Sequence, residues 1–174
     1  MSIIVNANPR NLTWGDFTVV PNRIVDPADG ELVEAYTAFN YNIPNLPARV
    51  YGSKFGFADP MTITITPTAS VWSGATQTSA LLSHEQWHYD LGIVLARSLA
   101  KKISRVRKKT RQELVVFIQN AAALHFTTRA GLLQKRYDLD TRHGTQPRYQ
   151  RIWKDRMRAC LANPNITQLG GFYL

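Results

Sequence analysis

The chain has 174 residues, of which 44% are hydrophobic and 19% are charged. These values exclude a disordered chain and are typical of one globular domain, here residues 1–174. No apolar run approaches the ~20 residues that a membrane-spanning helix needs. Residues 1–10 lack a basic start followed by an apolar stretch, so we expect no signal peptide and a cytoplasmic location. The single cysteine, Cys160, excludes an internal disulfide bond.

The positive charge of the chain is concentrated in its second part. Residues 1–96 carry 4 Lys and Arg against 8 Asp and Glu, a net charge of −4. Residues 97–174 carry 17 against 4, a net charge of +13. Such basic segments either bind anionic partners or form solvated helix faces. An anionic partner, nucleic acid or an acidic surface, is therefore one expectation for Lys101–Arg111 and Arg148–Arg158.

Residues 1–77 have the composition of a β-rich segment, with many Pro, Gly, Asn and Thr residues. Met61–Pro67 alternates apolar and polar side chains and is rich in β-branched residues, which predicts a half-buried strand. Phe17–Val20 and Val33–Phe39 carry weaker versions of this pattern. Ser70–Ser73 is expected to form a short strand or the end of one.

Helix-forming residues dominate after the β-rich segment. Thr78 or Ser79 is expected to cap a helix that continues to about Arg107. Thr110 and Glu113 fit a capping box, in which each side chain bonds the backbone N–H of the other residue. A second helix is therefore expected to begin at this capping box.

The second helix is expected to end near Lys135, before a polar loop over Tyr137–Gln146. Pro147 suits the first turn of a third helix, and Pro164 marks its end. The resulting class is α+β, with a β-rich part over residues 1–77 and a helical part over residues 78–174. The helical part is expected to form an antiparallel hairpin followed by a C-terminal helix.

The segment from His84 to His88 has the spacing of the H-E-x-x-H zinc motif. Residues four apart lie on the same face of a helix, so the imidazoles of His84 and His88 can reach one ion. Glu85 follows the first histidine and projects beside the ion, where it can take a proton from a bound water. This motif on a helix predicts a Zn²⁺ site.

A catalytic zinc site of this type needs a third protein ligand. The metzincin pattern requires a histidine at position 94, where this sequence has Val94. Glu113 is the only glutamate after the motif. It follows the far end of the first helix, roughly 28 Å from His88 at 1.5 Å per residue. Neither position therefore supplies the third ligand.

An antiparallel second helix returns the chain to the level of His88. The loop that follows this helix then reaches the metal, and His143 becomes the preferred third ligand. Asp138 and Asp140 in the same loop are the alternatives. His125, midway along the second helix, is expected to be a core histidine with satisfied hydrogen bonds.

Four segments match a known pattern in chain order and together cover most of the chain. They are Leu12–Phe17 (L-T-W-G-D-F), Val71–Trp72, Leu81–Asp90 (L-L-S-H-E-Q-W-H-Y-D) with Ala96–Arg97, and Tyr137–Gly144 (Y-D-L-D-T-R-H-G) followed by Gln146 and Trp153. The pattern resembles a bacterial and phage family of small predicted zinc-dependent proteases, formerly a domain of unknown function. The resemblance implies a zincin-like fold and peptidase activity, with His143 in the site. Members are usually exported, but this chain is basic and shows no signal peptide, so a phage-associated location is the alternative to the cytoplasm.

Peptide hydrolysis is the function that we expect. Zn²⁺ polarises the scissile carbonyl and lowers the pKa of its water, and Glu85 acts as the general base. Tyr137 is a candidate to hydrogen-bond the developing oxyanion. Asp90 and Asp138 are candidates to hold a ligand imidazole in place through its other ring nitrogen. The strand over Met61–Pro67 is expected to pair with an extended peptide substrate.

Two other functions remain open at this point. A non-catalytic structural protein, for example a phage virion component, retains zinc for stability and has four protein ligands. A basic nucleic-acid-binding protein uses Lys101–Arg111, although the sequence has no base-reading motif. The sequence predicts neither the substrate nor the oligomeric state.

Overall fold

The protein has an α+β architecture in which small sheets precede a group of helices. A computed structural model describes residues 3–6, 10–43, 48–57 and 61–174. Half of residues 1–10, on which the signal-peptide prediction rests, lies outside these ranges. Within the described ranges, no helix is both long enough and apolar enough to cross a membrane.

The secondary structure follows the expected order of strands and then helices, except that a short hairpin follows the last helix. The strands are β1 (Ile3–Asn6), β2 (Phe17–Val20), β3 (Ile24–Val25), β4 (Leu32–Val33), β5 (Ala35–Asn42), β6 (Ala48–Tyr51), β7 (Lys54–Phe57), β8 (Met61–Trp72), β9 (Gln168–Leu169) and β10 (Phe172–Tyr173). The helices are α1 (Ser79–Ser104), α2 (Arg111–Ala123), α3 (Ala130–Thr141) and α4 (Pro147–Ala162).

β8 is the central strand of the main sheet. One edge of β8 pairs antiparallel with β5, and the other pairs in parallel with β1 and then with β2. Ile63 and Ile65 are buried and Thr66 is exposed, which confirms the predicted half-buried strand. The segment from Ser70 continues this strand instead of forming another one. Met61–Thr64 pair with β1 on one edge and Thr64–Pro67 pair with β5 on the other, so neither edge of the predicted strand is free along its length, and the prediction that it pairs with a substrate is wrong.

α1 packs across the sheet and supplies much of the hydrophobic core. The Thr78 side chain accepts a hydrogen bond from the Leu81 backbone N–H, which confirms one of the two predicted N-caps. A Cβ at Gly92 would lie 2.6 Å from the ring of Phe39 on β5. Glycine in a helix interior costs about 1 kcal/mol relative to alanine, but here it lets the helix approach the sheet closely.

α2 and α3 form one continuous helical segment, because the π-helical residues Leu124–Arg129 join them. The capping box of Thr110 and Glu113 is confirmed at the start of α2. The predicted end near Lys135 is wrong, since α3 continues to Thr141. A run of left-handed residues ends the helix, and its first two members are not glycine. The sequence pattern therefore gave no clear stop signal.

α4 begins with Pro147 in its first turn, as expected. Three two-stranded sheets were not predicted: β3 with β4, β6 with β7, and β9 with β10. The β3–β4 hairpin matters most for function, because its connecting turn lies beside the histidines of α1. The two strands have only two residues each, which is too short for a recognisable alternation pattern.

Candidate metal centre

α1 buries the three functional side chains of its H-E-x-x-H motif. His84, Glu85 and His88 have exposed fractions of 3%, 2% and 6%. The two histidines are one helical turn apart, and their Nε2 atoms lie 3.3 Å from each other. Two ring nitrogens that face each other in this way can share one metal ion.

Asp138, in the last turn of α3, adds a third buried donor atom. Its Oδ1 lies 3.2 Å from His84 Nε2 and 3.1 Å from His88 Nε2. From the sequence alone, Asp138 is expected in a loop and ranks below His143 as a ligand. The extra helical turn of α3 brings it to the histidines, since the hairpin returns antiparallel along α1.

A cleft of about 600 Å³ opens beside these three atoms. Four buried side-chain atoms in the described part of the chain have no hydrogen-bond partner: Thr37 Oγ1, Glu85 Oε2, His88 Nδ1 and Asp138 Oδ1. All four residues line this cleft. Because buried polar groups in folded proteins nearly always have partners, this concentration indicates a binding site for an ion or a polar ligand.

The charges in the cluster alter the pKa values of its members. Burial by itself lowers the pKa of His88, but the carboxylates of Asp138 and Glu85 outweigh it and raise the pKa to about 9. Burial raises the pKa of Asp138, but the imidazoles of His88 and His84 hold it well below its usual value. The cluster therefore attracts positive charge, whether a proton or a metal ion.

In the described part of the chain, two His/Asp groupings that could hold a metal ion contain His143 and not His88. His143 offers a ring nitrogen within 4.8 Å of ligand atoms of His84 and Asp138, and it forms another such grouping with Asp26 and Asp29. Its Nε2 lies 3.1 Å from Asp29 Oδ2, and its Nδ1 lies 3.7 Å from Asp26 Oδ2. His143 thus lies at the border of the cluster, between it and the β3–β4 turn.

The backbone around His143 has an unusual conformation. Arg142, His143 and Gly144 have φ values of 46°, 49° and 84°, all in the left-handed region, which non-glycine residues seldom adopt. At Gly144 a Cβ would lie 3.1 Å from Cβ and Cγ of His84. Glycine is therefore suited to this position both by its backbone angle and by its contact with His84.

Tyr137 does not occupy the position expected of an oxyanion donor. Its side chain is 1% exposed and does not line the cleft. The ring stacks on His84 with centroids 4.7 Å apart and on Trp87 with centroids 3.9 Å apart. Its hydroxyl donates to Gln150 Oε1 at 3.2 Å. The helical turn of α3 points the ring into the core, so Tyr137 supports the imidazole of His84 from behind.

Three other residues from the sequence analysis lie away from the cluster or are already paired. Asp90 accepts a hydrogen bond from Gln86 Nε2 on another face of α1, because it follows His88 by only half a turn. It therefore does not hold a ligand imidazole. Asp140 binds Arg136 and Trp153 instead. His125 is buried with its Nδ1 at 2.7 Å from the Ala121 carbonyl oxygen, as expected for a core histidine.

Sequence reasoning missed the residues that surround the ligand histidines. Asp26 and Asp29 belong to a Pro- and Gly-containing turn, and a turn was the only feature its composition could predict. Gln150 lies in α4, and its amide contacts both His84 and Tyr137. No local pattern distinguishes it from the other glutamines of the chain. Only the packing of α4 against α1 brings it to the site.

The basic segment Lys101–Arg111 is partly used in packing. The guanidinium of Arg107 lies 3.9 Å from the ring centroid of Tyr51, and Lys108 pairs with Phe55 through a β-bridge. A second cavity, of about 390 Å³, lies at the start of this segment. Four basic residues line it, and no acidic side chain does within the described residues: Arg97, Lys101, Lys102 and Arg105.

Comparison with protein-family models, with curated protein sequences and with solved structures gives no match. The geometry of the site therefore carries the functional argument on its own.

Proposed function

We propose that the protein is a zinc-dependent peptidase with a zincin-like site, in which His84, His88 and Asp138 hold the ion. The spacing of the three donor atoms supports this most strongly. For zinc bonds of about 2.0–2.1 Å, tetrahedral geometry separates neighbouring ligand atoms by about 3.3–3.4 Å. The three separations in this site are 3.3, 3.2 and 3.1 Å.

The chemistry of the donor set also suits zinc. Two imidazole nitrogens and one carboxylate oxygen are common ligands of catalytic zinc, which keeps its fourth position open. Oδ1 of Asp138 lies 3.1–3.2 Å from both imidazole Nε2 atoms but forms no well-aligned hydrogen bond with either, which a bound ion would explain. When bound, zinc polarises a carbonyl and lowers the pKa of a water ligand.

Glu85 is the general base in this proposal. It lines the cleft directly after His84, and its buried Oε2 has no hydrogen-bond partner among the described residues. An unpaired carboxylate oxygen in this position is available to accept a proton from water and to pass it to a leaving amine. A buried glutamate with a purely structural role would instead have a hydrogen-bond partner for this oxygen.

The cleft fits an extended peptide. β5 forms part of its wall through Ala35, Tyr36 and Thr37. In the described part of the chain β5 pairs only with β8, so its other edge is free to bond a peptide backbone. This edge takes the place of the one that was predicted on β8.

The test combines metal analysis with peptide cleavage. We expect the purified protein to contain about one zinc per chain and to hydrolyse a peptide library. Glu85→Gln should retain zinc and lose activity by at least about a hundredfold. Glu31→Gln is the matched control, because Glu31 lines the same cleft but is exposed. A metal-free protein, or a Glu85→Gln variant with full activity, would contradict the proposal.

One observation favours the alternative of a non-catalytic zinc protein. His143 lies close enough to His84 and Asp138 to belong to the same grouping. If its ring moved towards the ion, four protein ligands would close the site and exclude water. Spectroscopy of the cobalt-substituted protein separates the cases, since an exchangeable inhibitor anion perturbs only an open site.

The basic cavity supports a second candidate function, binding of the phosphate backbone of a nucleic acid. Lys102 and Arg105 are exposed, and neither has an acidic partner within 4 Å among the described residues. We expect the affinity for a single-stranded oligonucleotide to fall steeply with salt and to fall further in the Lys102→Glu/Arg105→Glu variant. Arg151→Glu on α4 is the control. Equal affinities of the wild type and both variants would show that this surface does not bind the oligonucleotide.

A further inference from the structure

Gln150 lies in the first turns of α4 and connects the beginnings of two helices. Its Nε2 donates to the carbonyl oxygen of Ala80 on α1 at 3.1 Å. A carbonyl oxygen only accepts hydrogen bonds, so this contact fixes which end of the Gln150 amide faces α1. The other end, Oε1, consequently faces the interior of the site.

The Oε1 atom of Gln150 has two neighbours that can donate to it. Tyr137 donates its hydroxyl at 3.2 Å, and His84 Nδ1 lies at 3.4 Å. An amide oxygen has no proton to give, so the contact requires the proton of His84 to be on Nδ1. The Nε2 of a neutral His84 then carries a lone pair, and this is the atom that faces His88 and Asp138.

The ring of His84 is also held in place from its sides. Tyr137 stacks on it with an interplanar angle of 15°, and Gly144 packs against its Cβ and Cγ. Stacking fixes the plane of the ring but not which nitrogen carries the proton. His88 has no equivalent support, because its Nδ1 lacks a hydrogen-bond partner in the described part of the chain.

We propose that Gln150 is a positioning residue that sets the tautomer of His84 and directs its Nε2 lone pair at the metal position. This inference rests on the proposed zinc site and assigns to Gln150 the task that sequence analysis gave to Asp90. Mutating the hydrogen-bond partner of a ligand histidine typically lowers metal affinity by 10–100-fold. Gln150 acts through His84 and does not contact the substrate.

The first experiment measures zinc affinity by competition with a chelator. Gln150→Met keeps the length of the side chain but removes the acceptor, and we expect its zinc affinity to fall about 10–100-fold. Gln150→Glu restores an acceptor for His84 but loses the bond to the Ala80 carbonyl oxygen, so it should recover part of that loss. Tyr137→Phe is the matched control, since it removes the other bond to Oε1 and leaves the one to His84. Equal affinities for the wild type and Gln150→Met would overturn the proposal.

The second experiment does not depend on zinc. The chain has 4 histidines, so the ¹⁵N signals of their imidazoles can be assigned by substitution in the metal-free protein. His84 should carry a proton on Nδ1 in the wild type and lose this preference in Gln150→Met. A proton on Nε2 in the wild type overturns the inference. If His84 shows the expected tautomer but the protein does not bind zinc, only the proposed function is overturned.

Discussion

The H-E-x-x-H segment of α1 places its side chains on two faces of the helix. The two faces have different roles. His84, Glu85 and His88 face the cleft, where they meet Asp138 from α3. Gln86 and the aspartate four residues later point away from it. Each residue of a helix is rotated by about 100° from the previous one, so a shift of two positions moves a side chain to another face.

The face of Gln86 fastens the N-terminal segment to the helix. Gln86 Oε1 accepts from the Leu12 backbone N–H at 2.6 Å, and its Nε2 donates to the Arg10 carbonyl oxygen at 3.0 Å. The same Nε2 donates to Asp90 Oδ1 at 2.8 Å. A residue inside a zinc motif can therefore serve the fold alone. We therefore expect substitutions on the cleft face of α1 to change metal binding, and substitutions on the face of Gln86 to change the stability of the fold.

The largest effect is expected from Asp138→Ala. This change removes one of three proposed ligands and leaves two histidines, so zinc affinity should fall by more than the ~100-fold typical of residues behind a ligand. Chelator competition measures the loss. Asp140→Ala, two residues along the same helix, should retain the wild-type affinity. The assignment of the third ligand fails if the two variants bind zinc equally well.

His143→Ala should separate the two candidates for the third ligand. If Asp138 is the ligand, this variant retains zinc affinity to within about tenfold, because His143 then lies only at the border of the cluster. Zinc content and chelator competition are measured on the same preparation. A loss of zinc as large as that in Asp138→Ala would show instead that the sequence-based choice of His143 was right.

On the other face, Gln86→Leu should destabilise the fold and leave zinc binding unchanged. The substitution removes the partners of the Leu12 N–H and of the Asp90 carboxylate, at a cost of about 2–4 kcal/mol in the free energy of unfolding. Denaturant unfolding of the zinc-free protein gives this value, and chelator competition gives the affinity. Reduced zinc affinity in the folded variant would mean that the two faces are coupled.

The smallest effect is expected from Asp90→Asn, and it depends on pH. Burial raises the pKa of Asp90 to about 6 from 3.8, so the folded state holds the proton more tightly than the unfolded state. The wild type therefore loses stability as pH rises between these values, and the penalty persists above them. Asn has no such penalty and can still accept from Gln86. We expect it to stabilise the protein by about 1–2 kcal/mol at pH 8 and to have little effect near pH 4.

The predictable parts of this fold are those with a local cause. The strand over residues 61–67 followed from its alternation, α1 from its composition and the spacing of His84 and His88, and the start of α2 from its capping box. The end of α3 was not predictable, because Arg142 and His143 adopt left-handed angles that their side chains do not favour. The early end predicted for α3 placed Asp138 in a loop instead of a helix, which is why it ranked below His143 as a ligand.

The sequence by itself determined that two histidines and a glutamate share one helix, since the spacing of residues along a helix is fixed by backbone geometry. It also determined that the main strands precede the helices, although not the short β9–β10 hairpin at the end of the chain. Only the tertiary structure decided which carboxylate completes the trio, which strand edge borders the cleft, and that Gln150 contacts His84. Those relations join residues that are distant along the chain, and they depend on how α3, α4 and the β3–β4 hairpin pack against α1.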